Sequence, residues 1–97
     1  MEKVSACIKD DQGRAALSTL ELPEPGPGQA LIRTELTTIC GSDIHILEDI
    51  PEVPAGTPMG HEAVGVVEAV GEGVERFGKG DRVVACCVTS CGSCERC

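Results

Sequence analysis

Short apolar runs alternate with clusters of Gly, Pro and acidic residues along this chain, and a helical period is almost absent. Residues 4–8 form a short apolar segment, and residues 16–22 alternate loosely between apolar and polar positions. The run Pro23-Glu24-Pro25-Gly26-Pro27-Gly28 then predicts a rigid turn with no room for a helix. Residues 29–39 follow as a longer strand, with Leu31, Arg33, Glu35 and Thr37 on one face and Ala30, Ile32, Thr34, Leu36 and Thr38 on the other. Residues 42–48 predict one or two helical turns, with Ser42 as N-cap and Asp43 in the first turn. Pro51, Pro54, Gly56 and Pro58 mark an irregular loop. Residues 62–70 predict a strand rich in Val, in which Gly65 marks a bulge or a close backbone approach. Turns at residues 71–73 and 78–81 lead to a last strand over 82–88 and a cysteine-rich loop over 90–97. Strands bounded by Gly and Pro turns point to a mainly β fold, a barrel or sandwich with short helical turns.

The chain has 97 residues, enough for one small domain. Phe77 is the only aromatic residue, so the core must come from Val, Ile, Leu, Ala and Cys, and metal or a packing partner is expected to add to a marginal stability. The net charge of −8 disfavours nucleic acid, and the acids are scattered as on a solvated surface. No apolar segment has the length of a signal peptide core or a membrane span. The chain contains seven Cys and no Asn; an odd thiol count fits a disulfide framework poorly and points to a reducing, cytoplasmic setting in which thiols bind metal or pack.

Cys91, Cys94 and Cys97 stand at C-x2-C-x2-C spacing, which lets a tight loop aim successive thiolates at one centre; tetrahedral zinc is the usual occupant. A redox dithiol and an iron–sulfur cluster are the competing readings of that spacing. Cys86 and Cys87 fall on the last predicted strand and point to opposite faces, and Cys7, Cys86 and Cys87 are assigned to core packing. Upstream stand Cys40-Gly41-Ser42-Asp43-Ile44-His45 and Gly60-His61-Glu62. A thiolate and an imidazole can hold zinc with positions left open, while Asp43 or Glu62 orients the imidazole. Taken singly, Cys40 is the usual small buried thiol and His61 a satisfied histidine; metal chemistry needs them together, and their spacing alone leaves both readings open. A nucleotide loop at Gly71-Glu72-Gly73 fails, since no helix follows and Arg76 stands where a third Gly belongs.

The run from Ile39 to His45, then Met59 to Gly71, then Gly80 to Val84, then the cysteine loop, resembles the zinc-containing medium-chain alcohol dehydrogenases. The resemblance implies a GroES-like, partly open β-barrel domain over residues 1–97, without the Rossmann domain, with 91–97 opening a structural zinc lobe. It implies Cys40 and His61 as ligands of a catalytic zinc, with Glu62 beside or within its shell. Asp43 would contact the imidazole of His61, Ser42 would bond the substrate oxygen, and His45 would accept the proton through the cofactor ribose. Cys91, Cys94 and Cys97 would be three of four structural zinc ligands. The implied reaction interconverts small primary or secondary alcohols and aldehydes or ketones with NAD or NADP. A polyol or formaldehyde dehydrogenase, or a non-catalytic zinc-binding module, are the alternatives. The chain is expected to be a truncated piece, inactive by itself because the Rossmann domain, a third catalytic-zinc ligand and a fourth structural Cys are missing; homo-oligomer formation is left open.

Overall fold

Alternation over the first residues produces a hairpin. In the computed structural model, which describes residues 2–88, 90–91 and 94–95, β1 (Glu2–Lys9) pairs antiparallel with β2 (Ala15–Leu22). Asp10 shapes the connection. Its Oδ1 accepts the backbone N–H groups of Gln12 at 2.8 Å and Arg14 at 2.9 Å. Those two bonds hold the Asp10 carboxyl below its ordinary pKa, Arg14's first. Gly13 completes the turn at φ 74, and a Cβ there would stand 2.7 Å from the Leu47 carbonyl oxygen. Hairpin tip and helix end therefore pack backbone to backbone.

The free edge of β1 is taken by the proline-rich loop. Lys9 N–H donates to Thr57 O at 3.0 Å, Gly56 N–H to Lys9 O at 2.7 Å and Met59 N–H to Cys7 O at 2.8 Å. The Lys9 side chain is buried and donates from Nζ to Ile50 O at 2.9 Å. These bonds fix the segment that runs directly into Gly60 and His61.

A second sheet has the order β3-β4-β5, with β3 (Ala30–Thr37), β4 (Ala63–Val70) and β5 (Arg82–Ala85), all antiparallel neighbours. The two sheets stay open, as a partly open barrel requires. Pairing of β3 with β4 shifts register at Leu31/Ile32 and again at Thr34/Leu36. Those irregularities break the face assignment expected from strict alternation: Leu31 and Ile32 are both half-buried, and Leu36 is exposed. Gly65 lies opposite Thr34, and a Cβ there would come within 2.4 Å of Arg33 O and 2.6 Å of Ile32 Cγ2. The close backbone approach expected at Gly65 is present. Gly71, in the sequence considered for a nucleotide loop, extends the β3–β4 ladder instead: its N–H donates to Gln29 O at 2.7 Å.

Packing is thin. Among the described residues Val67 is the only buried hydrophobic side chain, while Leu17, Ile39, Val84 and Val88 are largely exposed. The last strand stops at Ala85 rather than at residue 88, so Cys86 and Cys87 lie beyond the sheet. Cys7, Cys86 and Cys87 are all exposed, which overturns their assignment to the core. No helix among the described residues is long and apolar enough to cross a membrane.

Between β3 and β4 stands α1 (Gly41–Glu48), about two turns long. Its N-cap is Cys40, not Ser42, which falls inside the first turn. Asp43 decides this: its Oδ2 reaches back three residues to accept the Cys40 N–H at 3.0 Å, the reciprocal half of a capping box.

Replacing Gly65 by Ala forces a methyl group against the Arg33 carbonyl. Urea denaturation is expected to show a loss of about 1–3 kcal/mol, whereas Gly78→Ala, where a Cβ meets nothing within 4 Å, should stay within about 0.5 kcal/mol of the parent.

Candidate metal centre

Strand polarity builds this site. Thr37 faces Ala63 in the antiparallel ladder, so the end of β3 and the start of β4 leave the sheet side by side. Thr38 N–H continues the pairing by donating to Glu62 O at 3.2 Å, and Thr37 Oγ1 donates to the same carbonyl at 2.7 Å. Cys40 follows two residues after Thr38, and His61 directly precedes Glu62. The ladder therefore closes a long chain excursion and delivers both residues to one place.

The ligand atoms of Cys40, His61 and Glu62 lie within 4.8 Å of one another. A thiol sulfur, an imidazole nitrogen and a carboxylate oxygen at that separation form a donor set suited to zinc. Ser42 joins two of them: its Oγ donates to Cys40 Sγ at 3.4 Å and lies 3.0 Å from His61 Nε2. Thr38 Oγ1 donates to Glu62 Oε2.

Asp43 sits behind the imidazole. It is buried, and its Oδ1 lies 3.4 Å from His61 Nδ1, inside ion-pair range. The contact is not a hydrogen bond, and Oδ1 is a buried oxygen without a donor. A buried carboxylate oxygen is costly to leave unpaired. A neutral His61 with its proton on Nδ1 turns that proton toward Asp43 and leaves the Nε2 lone pair facing the Cys40 side, the arrangement of a carboxylate–histidine–metal array. The donor chemistry and the orphaned oxygen both fit a bound cation.

Electrostatics in the metal-free chain agree with this. The Cys40 thiol is held below its ordinary value of 9.0, first by the Ser42 hydroxyl, then by the Ser42 backbone N–H and by His61. His61 is raised above its ordinary 6.5, first by its hydrogen bond with Cys40, against the effect of burial and with the Asp43 charge adding to it. Each shift moves its group toward the charged form, and a metal bound between the two would take the place of the remaining proton.

His45 lies outside the cluster. It is exposed on α1, three residues after Ser42, and its Nδ1 contacts Asp49 Oδ2 at 2.6 Å. Cys91 and Cys94 are described and exposed; Cys97, the third thiol of the expected lobe, lies outside the described residues. Thr37 and Thr38, which the alternation puts on opposite faces of a strand, also belong to the site. Their signal was two adjacent hydroxyl residues at the end of a strand, immediately before the Ile-Cys-Gly run.

The sequence profile of the alcohol dehydrogenase GroES-like domain matches residues 26–97. An alcohol dehydrogenase of Cupriavidus necator is 40% identical over 82 residues, covering 84% of this chain and 22% of that protein. A sorbitol dehydrogenase of Halalkalibacterium halodurans is 40% identical over 97 residues, covering 97% of this chain and 28% of that protein. Among solved structures, zinc dependent alcohol dehydrogenase 2 from Streptococcus pneumonia superposes with a TM-score of 0.80 at 40% identity, covering 99% of this chain and 28% of that one. The chain thus spans between 22% and 28% of the length of these relatives. With a match over residues 26–97 and the open β architecture described above, the chain belongs to the alcohol dehydrogenase GroES-like domain family.

Proposed function

We propose that this chain supplies the metal-binding and proton-relay residues of a zinc-dependent, NAD(P)-linked alcohol dehydrogenase acting on small primary or secondary alcohols. The observation that carries the reading is the convergence of Cys40, His61 and Glu62 within 4.8 Å, with the Ser42 hydroxyl in contact with two of the three. Polyols are an alternative substrate class, since a sorbitol dehydrogenase is as similar in identity as an alcohol dehydrogenase.

Zinc, when bound, supplies a Lewis acid that makes the alcohol proton easier to remove. The residues of the chain do the rest. Cys40 and His61 hold the ion, with Glu62 in or beside its shell. Asp43 fixes the His61 tautomer through its unpaired Oδ1. Ser42 takes the alcohol proton and passes it outward; NAD or NADP, when bound, would supply the acceptor for the carbon-bound hydrogen and its electron pair. His45, one turn along α1 from Ser42, is the outer proton acceptor; its bond to Asp49 leaves the opposite ring nitrogen open. Cys91, Cys94 and Cys97 belong to a separate structural zinc lobe.

Zinc titration of the chain should show Cys40→Ala and His61→Ala each weakening the site at least about tenfold. To test chemistry, residues 1–97 are exchanged for the matching segment of the Cupriavidus necator relative. Alcohol-dependent reduction of NAD or NADP is expected, falling at least about a hundredfold in Ser42→Ala. Tight zinc without turnover in that hybrid would favour the non-catalytic module.

Proton competition gives a further check. Metal must displace any proton held by the Cys40 thiol, whose value is lowered, and the raised His61 adds its own proton to that competition. Because its protonated form is favoured, zinc affinity should fall as pH drops through the raised His61 value, by about tenfold per pH unit for one displaced proton. Titrations between about pH 8 and pH 6 read this slope directly.

A further inference from the structure

Glu62 is the flexible member of the donor set. Its side chain is exposed and long, and confining it at a metal costs rotamer entropy. Its backbone is already fixed: the Glu62 carbonyl accepts from Thr37 Oγ1 and from the Thr38 N–H. Only the side-chain torsions remain to be set. Among the described residues the donor to its carboxylate is the Thr38 hydroxyl, which takes Oε2 and leaves Oε1 open. The other walls of the groove beside it are apolar: Leu36, Ala63, Val64, Val84 and Ala85 line a cavity of about 280 Å³ and offer no side-chain donor.

We propose that Thr38 is a positioning residue for the metal, its hydroxyl holding the Glu62 carboxylate within the ligand set of Cys40 and His61. The inference rests on the metal reading of that set and extends it to a residue outside it. Thr38 suits the task because it is β-branched, so its hydroxyl has few rotamers to choose from. It also follows the strand that carries the chain to Cys40, so one short segment places the thiol and tethers the carboxylate. A metal arriving at the site meets a third donor already held close, with less ordering left to do.

The test is a zinc titration of the full chain and of its Thr38→Val, Thr38→Ser, Glu62→Gln and Thr38→Val/Glu62→Gln variants, with the cobalt(II) absorption spectrum as a second reading of coordination. Thr38→Val is expected to weaken zinc about tenfold and to shift the cobalt bands. Thr38→Ser should restore both, and in the Glu62→Gln background Thr38→Val should change affinity by less than about twofold. Unchanged affinity in Thr38→Val, or an equal loss with and without the Glu62 carboxylate, overturns the proposal and leaves the metal reading standing. Should Thr38→Val fail to fold, Thr38→Ala takes its place; if neither folds while Thr38→Ser does, the hydroxyl serves the fold and the proposal falls. A parent chain whose zinc affinity ignores Cys40→Ala and His61→Ala overturns the metal reading itself.

Discussion

The antiparallel pairing of β3 with β4 is the constraint on which everything else in this chain depends. It brings the end of one strand beside the start of the next, and the Glu62 carbonyl is the last rung, shared by Thr37 and Thr38. About twenty residues separate Cys40 from His61, and an unstructured loop of that size would charge its closure entropy to any ion that bridged them. Here the ladder closes the loop first. Pro51, Pro54 and Pro58 stiffen the excursion, and the N–H groups of Gly56 and Met59, donating to β1, with the Thr57 carbonyl accepting from it, dock its far side.

Asp43 links the local and the long-range parts of the site. One oxygen caps α1 by accepting the Cys40 N–H, which orients the residue bearing the thiol. The other is buried behind His61 and lacks a donor. A single carboxylate thus fixes the backbone of one metal-site residue and faces the ring of the other. The capping bond alone does not explain why so buried a position carries a carboxylate with an unsatisfied oxygen, since an exposed cap serves a helix equally well. A positive charge at the imidazole gives the second oxygen its counterpart.

Much of this was legible in the residues. Strand positions follow from apolar runs between Gly and Pro clusters, and the tight approach at Gly65 followed from a glycine inside a Val-rich strand. The pairing of Cys40 with His61 came from the resemblance; residue types alone left them ambiguous. Three features were hidden because they depend on partners distant in sequence. The N-cap fell on Cys40 because Asp43 reaches back to its N–H, whereas Ser42 turns its hydroxyl to Cys40 Sγ and His61. The two register shifts in β3 are set by its neighbour, and they spoil the alternation that a lone strand would display. The exposure of Cys7, Cys86 and Cys87 shows that a thiol's preference for burial has little force where there is little interior to enter.

That shallow interior changes what holds the site in place. With Val67 alone as a buried hydrophobic side chain among the described residues, close packing cannot hold the ligand side chains as it does in a larger domain. Directional bonds take over. Backbone rungs place the Cα atoms of residues 38 and 62, and four polar side chains, Thr37, Thr38, Ser42 and Asp43, reach the groups that carry the chemistry. Such bonds specify angles as well as distances, which nonpolar contact does not. A metal site needs its donors within a few tenths of an ångström but tolerates solvent on one side. Such a site is therefore one that a thin, hydrogen-bonded framework can present, and a metal bound there would add its own binding energy to folding.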